Sequence, residues 1–166
     1  YYLWQTDLVA AYKKTRNGLI GTDYSTKFSP WLANGNLSAR MIASEIHSYE
    51  DQRTKNDSTY WVIFELLWRD FFRFAALKYG RKWFDKGGIQ SNIREYQNNK
   101  DYFEAWISGR TGFSFVDANM RELATTGFMS NRGRQNVASF FTQNLNMDWR
   151  WGAEYFESML LDYDPA

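Results

Sequence analysis

One stretch of the sequence places a carboxylate inside an otherwise apolar helix. In Ser58–Gly80, Glu65 precedes Trp68 by three residues and Arg69 by four, so these side chains share one side of the predicted helix. The ordinary interpretation is an i,i+4 salt bridge between Glu65 and Arg69, which contributes about 0.2–0.5 kcal/mol. A carboxylate in so apolar a helix should nevertheless be desolvated and paired, which makes Glu65 a candidate site residue.

A second predicted helix, Asn131–Asn144, has one polar and one apolar face. Asn131, Arg134 and Gln135 follow the i, i+3, i+4 spacing of a single helix face. The opposite side carries the apolar residues Val137, Phe140, Phe141 and Leu145. One face is therefore expected to join the core, and the other forms a polar platform.

A hydroxyl-rich loop, GTDYSTKFSPWLANG at 21–35, has side chains and backbone NH groups that could hold a phosphate. Such loops are more often solvated turns, and the residues alone favour that simpler interpretation. A helical turn is predicted around Trp31.

Composition narrows the classes of function. A net charge of +1 over 166 residues argues against a protein that binds nucleic acid mainly through many phosphate contacts. The chain has no cysteine, which excludes disulfides and cysteine-based metal or nucleophile sites. The single histidine, His47, lies in a charged stretch and is predicted to be a solvated helix residue. Aromatic residues make up 19% of the chain. Most of them are expected to pack in the core, but their number exceeds what a small core needs, which suggests that some rings serve in stacking or electron transfer.

The pattern along the chain predicts an all-α fold. No alternating strand pattern or repeat is present. Three helices are expected with caps: Thr6–Arg16, capped by Thr6; a helix through Arg53, capped by Ser38; and a buried central helix through Gly80, capped by Asp57-Ser58. Further helices are expected at Lys100–Ser108, Val116–Thr125, Asn131–Asn144 and Trp151–Leu161, with a long loop at Lys82–Asn99. No signal peptide or membrane-spanning run is predicted, so the protein is expected to be soluble and intracellular, in the cytoplasm if bacterial and in an organelle if eukaryotic.

The most specific signal is the long segment TTGFMSNRGRQNVASFF at 125–141, with VDANMREL before it and DWRWGAEYFESMLLDYD after it. This segment resembles the flavin-binding helical domain of the photolyase/cryptochrome family, most closely its DASH branch, and the resemblance covers nearly the whole chain. It implies that residues 1–166 are an internal piece of that domain, and that an N-terminal α/β antenna domain lies outside this chain. It also implies bound FAD, with a folate antenna held mainly by the N-terminal domain.

The resemblance assigns several residues to FAD. The loop residues Ser25, Thr26, Lys27, Phe28 and Ser29 match those that hold its phosphates. Tyr12, with Arg16 four residues later, matches a flavin-contacting tyrosine, and Arg69 lies toward the cofactor. Asn131 and Arg134 match positions at the flavin ring, while Asp162 and Asp164 match a pair that salt-bridges this arginine and hydrogen-bonds the isoalloxazine. The simpler interpretation of Arg134 and Asp162 is a structural ion pair, which would coexist with the cofactor role.

The resemblance assigns other residues to damaged DNA. Glu65 and Trp68 match the pair that contacts a flipped-out pyrimidine dimer, the acid through hydrogen bonds and the indole by stacking. Glu65 could donate a proton only in its protonated form, which burial in the apolar helix would favour. Asn131 also reaches this pocket, and Gln135 stands where many duplex-specific photolyases have methionine, a departure shared with DASH proteins.

Family members reduce their flavin again through three tryptophans. Trp149 matches the middle one, the proximal one lies beyond Ala166, and the distal position falls on Tyr96. An oxidised tyrosine must lose its proton to be stable, so Trp83 remains an alternative donor.

The implied activity is repair of cyclobutane pyrimidine dimers driven by blue light, preferentially in single-stranded DNA, by a monomeric enzyme that needs no metal. Two other classes remain open. One is a blue-light photoreceptor that reduces its flavin without repairing DNA, which the presence of Glu65 disfavours. The other is a flavin-free helical module that binds single strands through its aromatic residues.

Overall fold

A computed structural model describes residues 1–164 of the protein, and these residues form helices and loops with no β-strand. The predicted all-α class is confirmed. Eight α-helices follow one another: α1 Tyr12–Thr15, α2 Ser29–Ala33, α3 Ala39–Gln52, α4 Asp57–Tyr79, α5 Lys100–Ile107, α6 Ser114–Thr126, α7 Asn131–Ser139 and α8 Trp149–Met159. Short 3-10 helices lie at Leu8–Ala11, Gly80–Trp83 and Gly88–Gln90, and a π-helix at Phe140–Asn144.

The described chain divides into two compact units. The first comprises Tyr1–Lys78 with Asp164, and the second comprises Tyr79–Tyr163. The core of the first unit is built from the N-terminal segment, α3 and the first half of α4. The core of the second unit surrounds the fully buried Trp106 of α5. Each unit thus buries its own apolar surface.

Helix capping agrees with the sequence at one site and differs at two. The Ser38 hydroxyl accepts a hydrogen bond from the Met41 amide, as predicted for the start of α3. Thr6 does not cap a helix, because its hydroxyl turns back to the carbonyls of Tyr1 and Tyr2. Helix α4 is capped by Asn56, whose Oδ1 accepts hydrogen bonds from the backbone amides of Ser58 at 2.8 Å and Thr59 at 3.2 Å.

The prediction that α4 is a buried central helix is wrong for much of its length in this chain. Its buried residues are Ser58, Thr59, Val62 and Leu66. Beyond Leu66 the large apolar side chains Leu67, Trp68, Phe71, Phe72, Phe74 and Leu77 are exposed. A helix with apolar residues on every side can be buried, but its sequence does not show which neighbouring segments cover it.

Helix α7 has the two faces that the sequence predicts. Val137 and Phe141 are buried, whereas Asn131 and Gln135 are exposed. The predicted single helix changes to π geometry at Phe140, where the Leu145 amide bonds the Phe140 carbonyl. His47 is an exposed residue of α3 facing Glu50, as expected for a solvated helix residue.

The packing of α6 against α7 depends on Gly133. A β-carbon at this position would lie 2.2 Å from Oδ1 of Asn119 and 2.9 Å from Cγ of Met129. Asn119 cannot easily move, since it is buried and its amide donates to the Phe115 carbonyl at 2.8 Å. The glycine therefore permits a close approach of two helices.

We expect Gly133→Ala to destabilise the protein by about 1–3 kcal/mol, the usual cost of forcing an extra atom into a packed core. In a helix whose glycine faces solvent, the same change would raise the stability by about 1 kcal/mol. The sign of the change in unfolding free energy therefore shows whether Gly133 is closely packed. Urea unfolding measures the effect, and Asn136→Ala on the exposed side of α7 is the control. Unchanged or increased stability of Gly133→Ala would contradict this packing account.

Candidate functional site

The hydroxyl-rich loop lines a pocket of about 470 Å³ within the first unit. Four of the five residues assigned to phosphates, Ser25, Thr26, Lys27 and Phe28, lie in its wall, and Ser29 begins α2. The Lys27 ammonium donates a hydrogen bond to Oγ of Ser25 at 3.1 Å. The wall of this pocket thus carries hydroxyl donors, the Lys27 ammonium and the Asp23 carboxylate. The hydroxyls and the ammonium are the groups that fit the anionic diphosphate of FAD.

Helices α1 and α4 bring Tyr12, Arg16 and Glu65 together. The Arg16 guanidinium donates a hydrogen bond to Glu65 in a part-buried ion pair. Tyr12 is buried, and burial, followed by the charge of Glu65, raises the pKa of its hydroxyl to about 12. Tyr12 therefore keeps its proton at neutral pH and can donate a hydrogen bond.

The expectations for Glu65 are met only in part. Its carboxylate is partnered, as predicted, but by Arg16 rather than by Arg69. Its side chain remains 34% exposed, so the predicted burial is wrong in this chain. The reason is that α4 is covered on one side only at this point.

The Trp68 ring lies one turn after Glu65 and is 45% exposed. Phe72 supports it in a stacked arrangement with 5.8 Å between ring centroids, and Phe71 contacts it edge to face at 5.5 Å. A supported ring with an exposed surface suits stacking against a flat heterocycle.

Arg69 has a different partner from the one that the spacing predicts. It donates a hydrogen bond to the Asp164 carboxylate at 2.8 Å within the first unit. The i,i+4 interpretation therefore fails because a carboxylate far away in sequence takes this role.

In the second unit, Arg134 forms the ion pair that the sequence suggests. Its guanidinium donates to both oxygens of Asp162 at 2.8 Å, and its Nε donates to the Met129 carbonyl at 2.8 Å. The Asp162 side chain is only 2% exposed, so the pair is fixed rather than loosely solvated. Asn131 begins α7 behind its cap Ser130, whose hydroxyl accepts from the Gly133 amide at 2.9 Å.

Comparison with known proteins decides the family. A family model described as the FAD binding domain of DNA photolyase matches residues 61–166. The chain belongs to the photolyase/cryptochrome family. It is 65% identical over 99% of its length to Cryptochrome DASH of Xenopus laevis, of which it covers 31%.

Solved structures of the family have the same fold. The Synechocystis cryptochrome is 62% identical and superposes with a TM-score of 0.97, covering 98% of this chain and 34% of that one. A class III photolyase of Agrobacterium tumefaciens is 27% identical with a TM-score of 0.88, covering 96% of this chain and 34% of that one. The chain therefore spans about a third of the length of these photolyase/cryptochrome relatives.

The two residues assigned to electron transfer both contact Lys86 in the second unit. The Trp149 indole donates a hydrogen bond to the Lys86 carbonyl at 3.2 Å. The Lys86 ammonium lies 5.4 Å from the centre of the Tyr96 ring. Sequence reasoning assigned Lys86 no role, because a backbone acceptor leaves no signal in residue type.

Arg16 was noted from the sequence only as a neighbour of Tyr12, and its pairing with Glu65 was missed. The two residues are 49 positions apart, so no spacing rule could reveal the contact. Gln135 lies on the exposed face of α7, where its Oε1 accepts a hydrogen bond from Arg132 at 3.1 Å. Among residues 1–164, none of the helices has the length and apolar content that spanning a membrane requires.

Asp148 fixes the helix that begins with Trp149. Its buried carboxylate accepts from the Arg150 amide at 3.1 Å and from the Arg150 guanidinium at 2.7 Å. Hydrogen bonds from Arg150 lower the pKa of Asp148 below its ordinary 3.8. Its carboxylate therefore contributes stability that is present above about pH 4 and is lost as the pH falls through the lower folded value.

We expect Asp148→Asn to cost about 1–2 kcal/mol of unfolding free energy at pH 7, because asparagine keeps the cap but not the charge-assisted bond. The deficit should begin to shrink as the pH falls below about 4, and it should be lost once the pH has passed the lowered folded pKa of Asp148, where the wild-type carboxyl is protonated too. Urea unfolding between pH 2.5 and 7 tests this, with the exposed Asp51→Asn as control. A deficit independent of pH would contradict the charge assignment.

Proposed function

We propose that this chain is the flavin-holding part of a DASH-type enzyme that repairs cyclobutane pyrimidine dimers, preferentially in single-stranded DNA, with blue light. The observation that carries the proposal is the exposed, supported ring of Trp68 one turn from the carboxylate of Glu65 on α4. A flipped-out dimer needs a ring to replace its lost stacking and hydrogen-bonding groups at its carbonyls, and α4 supplies both.

The bound flavin would supply the chemistry, a light-driven transfer of one electron to the dimer and its return. The protein's own residues would bind the flavin and the substrate and orient them. Ser25, Thr26, Lys27, Phe28 and Ser29 are proposed to hold the FAD phosphates, and Tyr12, Arg69, Asn131, Arg134, Asp162 and Asp164 to surround the rest of the cofactor. No metal is part of this proposal.

Glu65, Trp68, Asn131 and Gln135 are the proposed substrate contacts. Glu65 is held as an ion pair by Arg16, so in this arrangement it acts as a hydrogen-bond acceptor. For Glu65 to donate to a pyrimidine carbonyl, Arg16 must release it or pass its own hydrogen bond to the substrate. The single-strand preference follows from Gln135 and from the small cost of flipping an already unstacked base.

The rest of the assignment follows from the same family membership. We propose that the complete protein acts as a monomer and carries an N-terminal α/β domain. A folate antenna would be bound mainly by that domain. Neither the domain nor the antenna enters the tests of Glu65, Trp68 or the loop.

A blue-light photoreceptor without repair activity is the second candidate. The ion pair between Arg16 and Glu65 favours it, since this carboxylate already has a strong partner. The two candidates share FAD and differ in the need for a DNA substrate. Comparing repair of one thymine dimer in single-stranded and duplex oligonucleotides tests the proposed preference, and equal rates would contradict it.

Loss of the loop cation should weaken FAD binding. We expect Lys27→Met to raise the dissociation constant for FAD about tenfold or more, because a hydrogen bond to a charged group contributes about 1.5–3 kcal/mol. Flavin fluorescence during titration of the flavin-depleted protein measures the change. Lys14→Met, an exposed change on α1, is the matched control, and equal affinities for both variants would contradict the phosphate assignment.

A further inference from the structure

Two hydrogen bonds, one accepted and one donated by Asn146, flank Tyr96 in the second unit. The Asn146 carbonyl accepts a hydrogen bond from the Gln97 amide at 3.0 Å. The Asn146 side-chain amide donates to the Glu95 carbonyl at 3.2 Å. The residues before and after Tyr96 are therefore both tied to one asparagine.

The conformation of Asn146 suits this contact. Its φ is 48°, in the left-handed region that asparagine tolerates better than most residues. The residue lies just before Met147-Asp148, which lead directly into Trp149. The Met147 amide bonds the Phe141 carbonyl at 3.2 Å, and Asp148 caps α8. Trp149 is thus placed by contacts that do not include the Asn146 side chain.

Tyr96 and Trp149 contact the two ends of the same residue, Lys86. The carbonyl of that residue accepts the Trp149 indole hydrogen, and its ammonium lies over the Tyr96 ring. The loop that carries Tyr96 has few regular hydrogen bonds of its own between Asn92 and Asn99. The Arg94 guanidinium also ties this loop to Oε1 of Gln143 at 3.1 Å, but the two bonds with Asn146 are the ones that flank Tyr96 directly.

We propose that Asn146 is a positioning residue that holds Tyr96 as the terminal electron donor to Trp149. The inference rests on the proposed function through one step that is separate from repair: light-driven reduction of the bound flavin through the relay would take one electron from Trp149 and leave its indole oxidised. In the step itself, Tyr96 gives one electron to the oxidised indole of Trp149 and releases its phenolic proton to water. A neutral tyrosyl radical remains, and a thiol reductant in solution restores it with one electron and one proton.

The nearby charges favour proton loss in this step. The Lys86 ammonium lies close to the ring, and Arg150 is also within electrostatic reach of Tyr96. Positive charge on the ring would be repelled by both, so oxidation without loss of the proton is disfavoured. Tyr96 is half-buried, which leaves water to accept the proton.

Transient absorption of the complete FAD-loaded protein after a blue laser flash tests the proposal. We expect Asn146→Asp, which keeps the shape but loses the side-chain donor, to slow tyrosyl radical formation about tenfold or more, since a displacement of about 1 Å can cost that much. Asn146→Gly keeps the left-handed backbone and should have the same effect. The oxidised Trp149 signal should form at the wild-type rate and persist longer in both variants.

Matched variants separate position from general damage. Asn144→Asp, two residues away and exposed, should behave as wild type, and Tyr96→Phe should abolish the tyrosyl signal altogether. A tyrosyl signal with unchanged rate and yield in both Asn146 variants would overturn the proposal. A tyrosyl signal that survives Tyr96→Phe would overturn it too, since another residue would then be the donor.

Hydrogen exchange in the dark provides a readout that needs no electron transfer. We expect the Gln97 amide to exchange about tenfold faster in Asn146→Asp, whereas the amides of α8 keep their wild-type protection. Wild-type protection at Gln97 would show that the side chain does not hold this loop. If instead wild-type protein shows no light-induced flavin reduction at all, the electron-transfer role of Tyr96 and Asn146 fails, even where chemically reduced protein repairs DNA, and an altered Gln97 exchange would then support only a structural role of Asn146.

Discussion

Trp149→Phe is expected to slow reduction of the flavin under blue light by about 100-fold, because phenylalanine is far harder to oxidise than tryptophan and interrupts the proposed relay. A 100-fold slower rate corresponds to an activation barrier that is higher by about 2.7 kcal/mol. The structural change should be small, since the lost bond to the Lys86 carbonyl is a single hydrogen bond at 3.2 Å. Flavin absorbance during steady illumination with a thiol reductant measures the rate.

The same variant should keep its repair activity when the flavin is first reduced chemically. That control separates electron supply from the repair step, because no relay is needed once the flavin is reduced. Trp83→Phe tests the other candidate donor and should leave photoreduction unchanged. Photoreduction at the wild-type rate in Trp149→Phe, or a large loss in Trp83→Phe, would contradict the assignment.

Glu65→Ala is expected to lower the repair yield per absorbed photon at least about tenfold, while flavin content stays normal. Positioned hydrogen-bonding groups that stabilise developing charge contribute about 10²–10³-fold in comparable enzymes, so a smaller effect is a conservative expectation. Alanine removes the carboxylate and leaves Arg16 without its described ion-pair partner. The yield should be measured with saturating single-stranded substrate, so that weaker binding does not enter.

Glu65→Gln separates the charge from the hydrogen bond. If the acid acts as an acceptor for Arg16 and for the substrate, glutamine should retain an intermediate yield. If proton donation is required, glutamine should be as poor as alanine. Arg16→Gln provides the complementary case, in which Glu65 loses its partner. A full repair yield in Glu65→Ala would contradict a role for this residue in repair.

Local pattern was sufficient to predict most of the helices, because hydrophobic period and capping are short-range properties. The predicted helix Thr6–Arg16 is the exception, since it is a 3-10 helix at Leu8–Ala11 followed by the short α1, Tyr12–Thr15. Ser38 caps α3 as expected, and the two faces of α7 follow from its 3.6-residue period. The prediction for Thr6 failed because its hydroxyl had carbonyl acceptors nearby that compete with a cap.

The ion pairs show where sequence reasoning stops. Arg134 and Asp162 were paired through the family resemblance and not through spacing, and the structure contains this pair. The spacing of Glu65 and Arg69 suggested a local salt bridge, yet each residue pairs with a distant partner. Tertiary contacts override a local preference worth only about 0.2–0.5 kcal/mol.

Burial was the least predictable property of the site. Apolar residues on every side of α4 predicted a buried helix, but its second half is exposed in the described chain. The hydrophobic period of a helix shows which of its faces are apolar. Whether those faces are buried depends on the segments that pack against them, which can lie far away in sequence. The contacts of Lys86 and Asn146 were equally hidden, since each involves a backbone carbonyl, which leaves no signal in residue type.

Light-driven repair by the proposed enzyme is best measured on a single defined lesion. The complete FAD-loaded protein is reduced, mixed with a single-stranded oligonucleotide carrying one thymine dimer, and illuminated with blue light while ultraviolet absorbance is followed. We expect ultraviolet absorbance to recover only when both light and reduced flavin are present, and we expect this recovery to be lost in Glu65→Ala. Absence of recovery with FAD fully bound would contradict the repair proposal and favour the photoreceptor.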